Sequence, residues 1–265
     1  SHPNHEIAKK QMIGGFGGMV SFTFKSGAKA DAIKMLEKVK VVDLTIPLGP
    51  QTIMWPGAPS PEAETLVTIA HDGYFARRVS FYEHTGTHFD APCHFVNGST
   101  TVDKIPATSL VKPAIVIDIS KRIGNDPDGE LLLSDVEAFE EKNGQIPLGC
   151  AVLLRTGWEE FNSNEIKYVG APGNIRFPGF GVEAAKLLVN ERKAVGLGID
   201  TLGIDPGGVT TFPVHATVSH PKGLWHLENL QNLKMLPPTG AWIVVGVLPL
   251  IDGSGSPARV IALVP

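Results

Sequence analysis

Four metal-competent side chains recur at even offsets along His84-Thr-Gly-Thr-His88-Phe-Asp90-Ala-Pro-Cys-His94, and that spacing restricts the backbone able to carry them. On a helix, positions i and i+4 share a face but i+6 does not; on a strand, i, i+4, i+6 and i+10 all point the same way. Gly86, Pro92 and the β-branched threonines disfavour a regular helix, so convergence requires extended or looped backbone. The expectation is a strand end and loop that turn His84, His88 and Asp90 inward. Gly86 would permit close approach of the backbone, and His94 stands one step beyond.

Imidazole and carboxylate suit zinc, manganese or iron, and catalytic sites typically use three protein ligands with one position left for water. A lone histidine on an apolar face is usually a hydrogen-bonded core residue. Four such side chains at these intervals read instead as a metal site. A purely structural zinc would more often be closed by cysteines, and this motif holds only Cys93, so a catalytic ion is the favoured reading. The pattern is not HExxH, which excludes a helical zinc-protease site. Zinc and manganese both fit these donors.

The rest of the composition narrows the partners. With 43% hydrophobic and 19% charged residues the chain is ordinary for a globular protein. A formal charge of −4 and a pI near 6.1 argue against a broad nucleic-acid footprint, so the expected partner is a small molecule. No apolar run reaches the roughly 18 residues of a membrane span, and no signal-peptide pattern opens the sequence. Cys93 and Cys150 form neither a disulfide framework nor a CxxC pair. A cytoplasmic protein is expected.

Residues 1–40 read as an N-terminal arm. Val20–Phe24 suggests a short strand, and Ala28–Lys40 places Ile33, Leu36 and Val39 on one helical face. Ser1-His-Pro-Asn-His-Glu-Ile-Ala-Lys-Lys and Gly17-Gly-Met-Val-Ser-Phe are similar to the start of the C-terminal domain of pyridoxal-phosphate-dependent cystathionine lyases. That family's cofactor-binding lysine motif has no counterpart here, so no activity is carried over. The arm is expected to pack on the main domain or on a neighbouring subunit.

From Val41 to Pro265 the pattern is that of one α/β domain. Strands are expected at Val41–Ile46, Leu66–Ala70, Phe75–Tyr82, Ala114–Ile119, Ala151–Arg155, Ala194–Asp200, Ala241–Leu248 and Arg259–Val264. Ser134-Asp-Val-Glu137 reads as a capping box opening a helix that Gly144 stops, and Gly181–Arg192 is amphipathic. Gly196-Leu-Gly198 lies inside a strand pattern and is not a dinucleotide fingerprint.

The opening motif resembles the signature of the putative cyclase family of metal-dependent hydrolases, which includes bacterial kynurenine formamidases and isatin hydrolases. The likeness includes Asp43-Leu-Thr, Trp55-Pro-Gly, Asp200 through Pro206, Phe212-Pro-Val-His215 and Leu227-Glu228-Asn229-Leu. It implies an α/β, mixed-sheet, cyclase-like (swivelling β/β/α) domain with flanking helices, assembled as a dimer or tetramer. It also implies that His84, His88 and Asp90 ligate a first metal, with Asp90 bridging to a second held by His215 and Glu228. His94 would be the general acid and base, and Trp55 would contact substrate. The second ion stays open, because Glu228 could instead orient an imidazole, and His220 or His226 could replace His215. The two extra histidines are expected at the surface or behind a ligand.

Elementary chemistry reaches a similar division of labour. A divalent ion can lower the pKa of bound water to about 7 and polarise a carbonyl. An amine leaves poorly unless protonated, so a histidine outside the ligand set, titrating near neutrality, is needed; His94 fits. The leading expectation is therefore an arylformamidase cleaving N-formylkynurenine to kynurenine and formate, with isatin-like cyclic amides next. Phe75, Phe89, Phe95 and the loop 170–180 are candidates for shaping that choice. The competing class is a non-catalytic metal or ligand-binding protein.

Overall fold

The computed structural model describes residues 38–265, so the arm's expected strand, nearly all of its expected helix and the lyase-like segment lie outside the described residues. Ten strands carry the argument: β1 (Lys40–Asp43), β2 (Glu62–Val67), β3 (Ala76–Ser80), β4 (His88–Asp90), β5 (Val111–Asp118), β6 (Ala151–Arg155), β7 (Gly196–Ile199), β8 (Trp225–Glu228), β9 (Ala241–Val247) and β10 (Gly255–Val264). The main helices are α1 (Leu133–Asn143) and α2 (Val182–Lys186), the latter widening into a further turn, Leu187–Glu191.

The sheet is mixed and closes on itself. β5, β6, β7 and β8 pair in parallel, β4 joins β8 antiparallel, and β9 joins β5 antiparallel. Closure comes from β10, which pairs with β9 along one edge, while its other edge takes β4 at Gly255–Pro257 and β1 at Ile261–Val264. Among the described residues the ring of β4–β10 has no open edge, while β1 flanks it, paired on one side only. The last strand is thus central, and its expected span of Arg259–Val264 grows by the residues that hold β4.

Alternation along these strands builds two cores. Ala114, Val116, Ala151, Leu153, Trp225, Leu227 and Phe89 face the ring interior. Ile115, Ile117, Val152, Leu154, Leu197 and Ile199 point outward and pack under Val136 and Phe139 of α1 and Ala184 and Ala185 of α2. Each fully buried large aliphatic or aromatic side chain contributes about 1.5–3 kcal/mol of transfer free energy. The strand glycines belong to this packing: a Cβ on Gly196 would lie 2.4 Å from the Trp225 ring, and one on Gly198 2.5 Å from Leu153.

Two local expectations shift. α1 begins at Leu133, and the reciprocal capping carboxylate is Asp135, which accepts the Leu132 amide at 2.8 Å, rather than Glu137. Between β2 and β3 the turn contains a helical turn, Ile69–Asp72, ended by Gly73 at φ 76°. This hairpin stands off the ring with Leu66, Ile69, Tyr74, Phe75 and Val79 exposed. No helix among the described residues is long and apolar enough to cross a membrane.

Candidate metal centre

The centre is set by register between two strands. β4 and β8 align His88 with Glu228, Phe89 with Leu227, and Asp90 with His226. Because side chains alternate, Phe89 and Leu227 enter the ring interior while His88, Asp90, His226 and Glu228 share the outer face. Only His88–Asp90 is strand; His84 sits in the preceding loop and His94 in the short 3-10 turn Pro92–His94. The expected uniform strand is therefore a loop, a three-residue strand and a turn. Gly86, at φ 60°, makes the bend. Its carbonyl accepts both His88 Nδ1–H at 2.8 Å and Asn229 Nδ2–H at 2.9 Å.

Asp90 is the hub. Its Oδ1 lies 2.6 Å from His84 Nδ1 and 3.2 Å from His88 Nε2; its Oδ2 lies 3.6 Å from His215 Nε2 and 4.0 Å from His226 Nδ1. Glu228 spans the same space, 3.3 Å from His88 Nε2 and 3.2 Å from His215 Nε2. One set of donor atoms comprises His84, His88 and Asp90, and another Asp90, His215, His220 and His226, each set within 4.8 Å of one another.

The opposite nitrogen of every one of these imidazoles is engaged, which determines the nitrogen that faces Asp90. Ser254 Oγ donates to Glu83 at 2.5 Å, so it accepts His84 Nε2–H at 2.9 Å and leaves His84 Nδ1 inward. A carbonyl takes His88 Nδ1–H and leaves Nε2 inward. Asp205 Oδ2 takes His215 Nδ1–H at 2.6 Å, and its two oxygens also receive the Val214 and His215 amides. Leu224 O takes His220 Nδ1–H at 2.9 Å. Ser219 Oγ donates to Val214 O and therefore accepts His226 Nε2–H at 2.7 Å. Five ring nitrogens converge on one buried carboxylate, and once free of protons they offer the donor chemistry of a divalent cation.

Electrostatics agree that the cluster calls for positive charge. Burial opposes a charge on His88, yet Asp90 and Glu228 outweigh it and push its pKa up to about 10. Burial likewise opposes ionisation of Asp90, but His84, His88 and His215 hold its carboxyl well below the usual range. An ion binding here would displace those protons.

His94 stacks on His84 with ring centres 3.9 Å apart and lies outside both donor sets. Burial, with the neighbouring His84 and His215, lowers its pKa to about 4 against the pull of Asp90, so it is neutral rather than poised near 7 as expected. A cavity of about 500 Å3 opens over this floor. Trp55, Pro56, Tyr82, Phe95, Leu202 and Phe212 line it, with His84, His88, His94, His215 and Glu228 at the polar end. Trp55 is held edge-on to Phe177, with ring centres 6.1 Å apart. Of the other aromatic candidates, Phe89 is core and Phe75 is exposed on the hairpin.

Of the two places expected for His220 and His226, the surface is excluded and the position behind Asp90 is the one they take. They are buried, stacked on each other with ring centres 4.1 Å apart, and belong to the cluster rather than the surface. Sequence reasoning also missed Glu83, Ser254 and Tyr168. Tyr168 Oη lies 2.8 Å from Asn229 Oδ1 and so braces the Asn229–Gly86 link behind His88. Asp200 binds the Thr156 and Gly157 amides and ties the ends of β6 and β7 together.

The family model described as Putative cyclase matches residues 42–206. An isatin hydrolase of Roseibium aggregatum is 34% identical over 246 residues, covering 86% of this chain and 93% of that protein. A kynurenine formamidase of Geobacillus thermodenitrificans is 28% identical, covering 82% and 94%. The crystal structure of an isatin hydrolase bound to the product analogue thioisatinate superposes with a TM-score of 0.84 at 32% identity, covering 92% of this chain and 100% of that one. With that family model matching more than half of the chain, the chain belongs to the putative cyclase family of metal-dependent hydrolases, and its buried His/Asp cluster is able to bind a metal.

Proposed function

We propose that this protein hydrolyses the C–N amide bond of a small cyclic aromatic amide of the isatin type. The observation that carries the reading is the placement of convergent imidazole and carboxylate donors at the floor of an aromatic-lined cavity. Sequence likeness favours a cyclic over an open-chain amide: identity to an isatin hydrolase is 34%, against 28% to a kynurenine formamidase. The arylformamidase expectation is accordingly replaced by its alternative. A cavity of about 500 Å3 falls within the roughly 300–1,000 Å3 of small-molecule sites and admits a bicyclic ring system.

In this reading His84 Nδ1, His88 Nε2 and Asp90 Oδ1 would hold a zinc or manganese ion, with Glu228 beside His88. When bound, the ion supplies a Lewis acid and an acidified water. Trp55 stacks against the planar substrate and, with Phe95 and Phe212, keeps water away from the rest of the ring. His94, outside the donor sets and open to the cavity, takes the proton from the attacking water and returns it to the departing nitrogen. The carboxylate product keeps its ring amine attached, because opening a cyclic amide releases a single molecule.

The same reading includes assembly into a dimer or tetramer, supported by the apolar hairpin surface of Leu66, Ile69, Phe75 and Val79. Cytoplasmic placement accords with the free Cys93 and Cys150. The discriminating experiment offers isatin and N-formylkynurenine in parallel to metal-loaded protein. Turnover of isatin at the higher kcat/KM supports the proposal, preference for N-formylkynurenine restores the arylformamidase, and turnover of neither favours the non-catalytic class.

A further inference from the structure

Phe212 occupies a backbone conformation that its side chain makes costly. Its φ is 46°, in the left-handed region. Three of the other non-glycine residues at positive φ among the described residues are Asn229, Asn232 and Asp252, types that tolerate it. A bulky aromatic is a rare occupant there, and a residue that precedes proline, as Phe212 precedes Pro213, is normally extended. Such strain persists only where the surrounding structure over-determines it. At this junction it does: the Phe212 carbonyl accepts the Ala216 amide at 2.8 Å, and Asp205 receives the Val214 and His215 amides at 2.8 and 3.1 Å.

Glycine would take the same conformation without strain, so the phenyl ring is what the chain retains at this expense. That ring lines the cavity. Its centre lies 5.8 Å from Trp55 and 5.6 Å from Phe95, so Phe212 is the member of the aromatic wall in contact with both others. Each neighbour is braced in turn. Trp55 stands edge-on to the buried Phe177, and Phe95 lies with its ring centre 4.6 Å from His215 and 4.7 Å from His94. A ring between two braced rings, on a backbone locked by hydrogen bonds, gives the cavity a fixed width.

We infer that Phe212 is a specificity-determining residue of this cavity: its ring admits flat bicyclic amides and rejects those with a bulky substituent on the benzene ring. The inference rests on the reading of the cavity as the place where a cyclic amide is held, and adds the shape that amide must have. A misfit of one methylene in an apolar pocket is worth about 10–200-fold in kcat/KM, so a larger group should be rejected at least as strongly.

The test compares wild type with Phe212→Ala and Phe212→Gly, both of which delete the ring while only glycine relieves the backbone. The ligands are isatin and isatins carrying a tert-butyl group on the benzene ring, one regioisomer at a time. Turnover by the metal-loaded protein is read as kcat/KM and, where turnover is absent, binding is read by isothermal titration calorimetry. Wild type is expected to prefer isatin by about 10–200-fold or more, and both variants to reduce that preference about 10-fold or more for at least one regioisomer. In scanning calorimetry Phe212→Gly is expected to melt about 2–8 °C above Phe212→Ala, the reverse of their order at an unstrained position. An unchanged size preference in both variants overturns the inference, as does Phe212→Ala melting at or above Phe212→Gly. Size-selective binding without turnover would remove the hydrolase reading and leave the role of Phe212 standing. Wild type that binds neither ligand removes both.

Discussion

Asp205 Oδ2 accepts the Nδ1 proton of His215 at 2.6 Å, and that bond turns His215 Nε2 toward Asp90. The same carboxylate receives the Val214 and His215 amides, so the turn carrying His215 is anchored by the residue that selects its tautomer. Carboxylate–histidine pairs of this kind typically govern metal affinity by 10–100-fold. Asp205→Asn, which keeps the size but weakens the acceptor, is expected to lower affinity for a divalent ion about 10-fold or more, measured by competition with a chromophoric chelator. Unchanged affinity would show that packing alone orients His215.

Metal removal has a stability consequence as well. An ion that binds only the folded state adds about 2.7 kcal/mol when its concentration is 100 times Kd. For a chain of this size each kcal/mol moves Tm by about 2–4 °C. Chelation is therefore expected to lower Tm by about 5–10 °C in differential scanning calorimetry, and equimolar Zn(II) to restore it. A Tm indifferent to chelator contradicts the cluster's role as a cation site.

His94 stacks on His84 yet belongs to neither donor set, so the proposed chemistry can be tested apart from metal binding there. His94→Ala is expected to reduce kcat/KM by about 10²–10⁴-fold with metal content intact. If the variant loses its metal in proportion to its activity, His94 is a ligand or a support for His84 rather than the proton carrier.

Part of the acid sensitivity should come from ion pairs remote from the site, beside the contribution of the depressed Asp90 carboxyl. Burial works against Asp118, but Ser120 and Arg155 outweigh it and hold its pKa below the usual 3.8. Arg192 does the same for Glu140, below 4.5. A carboxyl whose folded pKa is depressed contributes stability that is present above its unfolded pKa and lost as pH falls through the folded value. Stability should thus decline below about pH 4.5, and Glu140→Gln should lose less than wild type between pH 6 and 3 in urea melts. An equal decline in both proteins would assign the acid sensitivity elsewhere.

The parts of this design legible in the sequence are those encoded locally. Branched apolar runs such as Ala151–Arg155 announced their strand because burial on both faces needs nothing but those residues. The even spacing of His84, His88 and Asp90 announced a cluster able to bind a metal. What stayed hidden depends on pairing across the chain. Closure of the ring rests on Asp90 opposite His226 on one side and Gly255 on the other, and no local pattern names such partners. His220 sits in a polar stretch between Ser219 and Pro221 that reads as surface, yet the turn Val214–Ser219 folds it beneath Asp90. Glu83 and Ser254, 171 residues apart, settle the tautomer of His84 through one hydrogen bond. The capping register slipped for a smaller reason: Asp135, one residue after Ser134, was the carboxylate already within reach of the Leu132 amide.

On the proposed function, Asp90 and its converging imidazoles hold the ion on which cyclic-amide hydrolysis by this protein depends. The most direct measurement follows isatin consumption by the purified protein before chelation, after exhaustive chelation, and after return of Zn(II) or Mn(II). The account predicts turnover that disappears with the metal and returns with it, and that His88→Ala abolishes even in excess metal. Undiminished isatin hydrolysis by metal-free protein, or by His88→Ala, would contradict it.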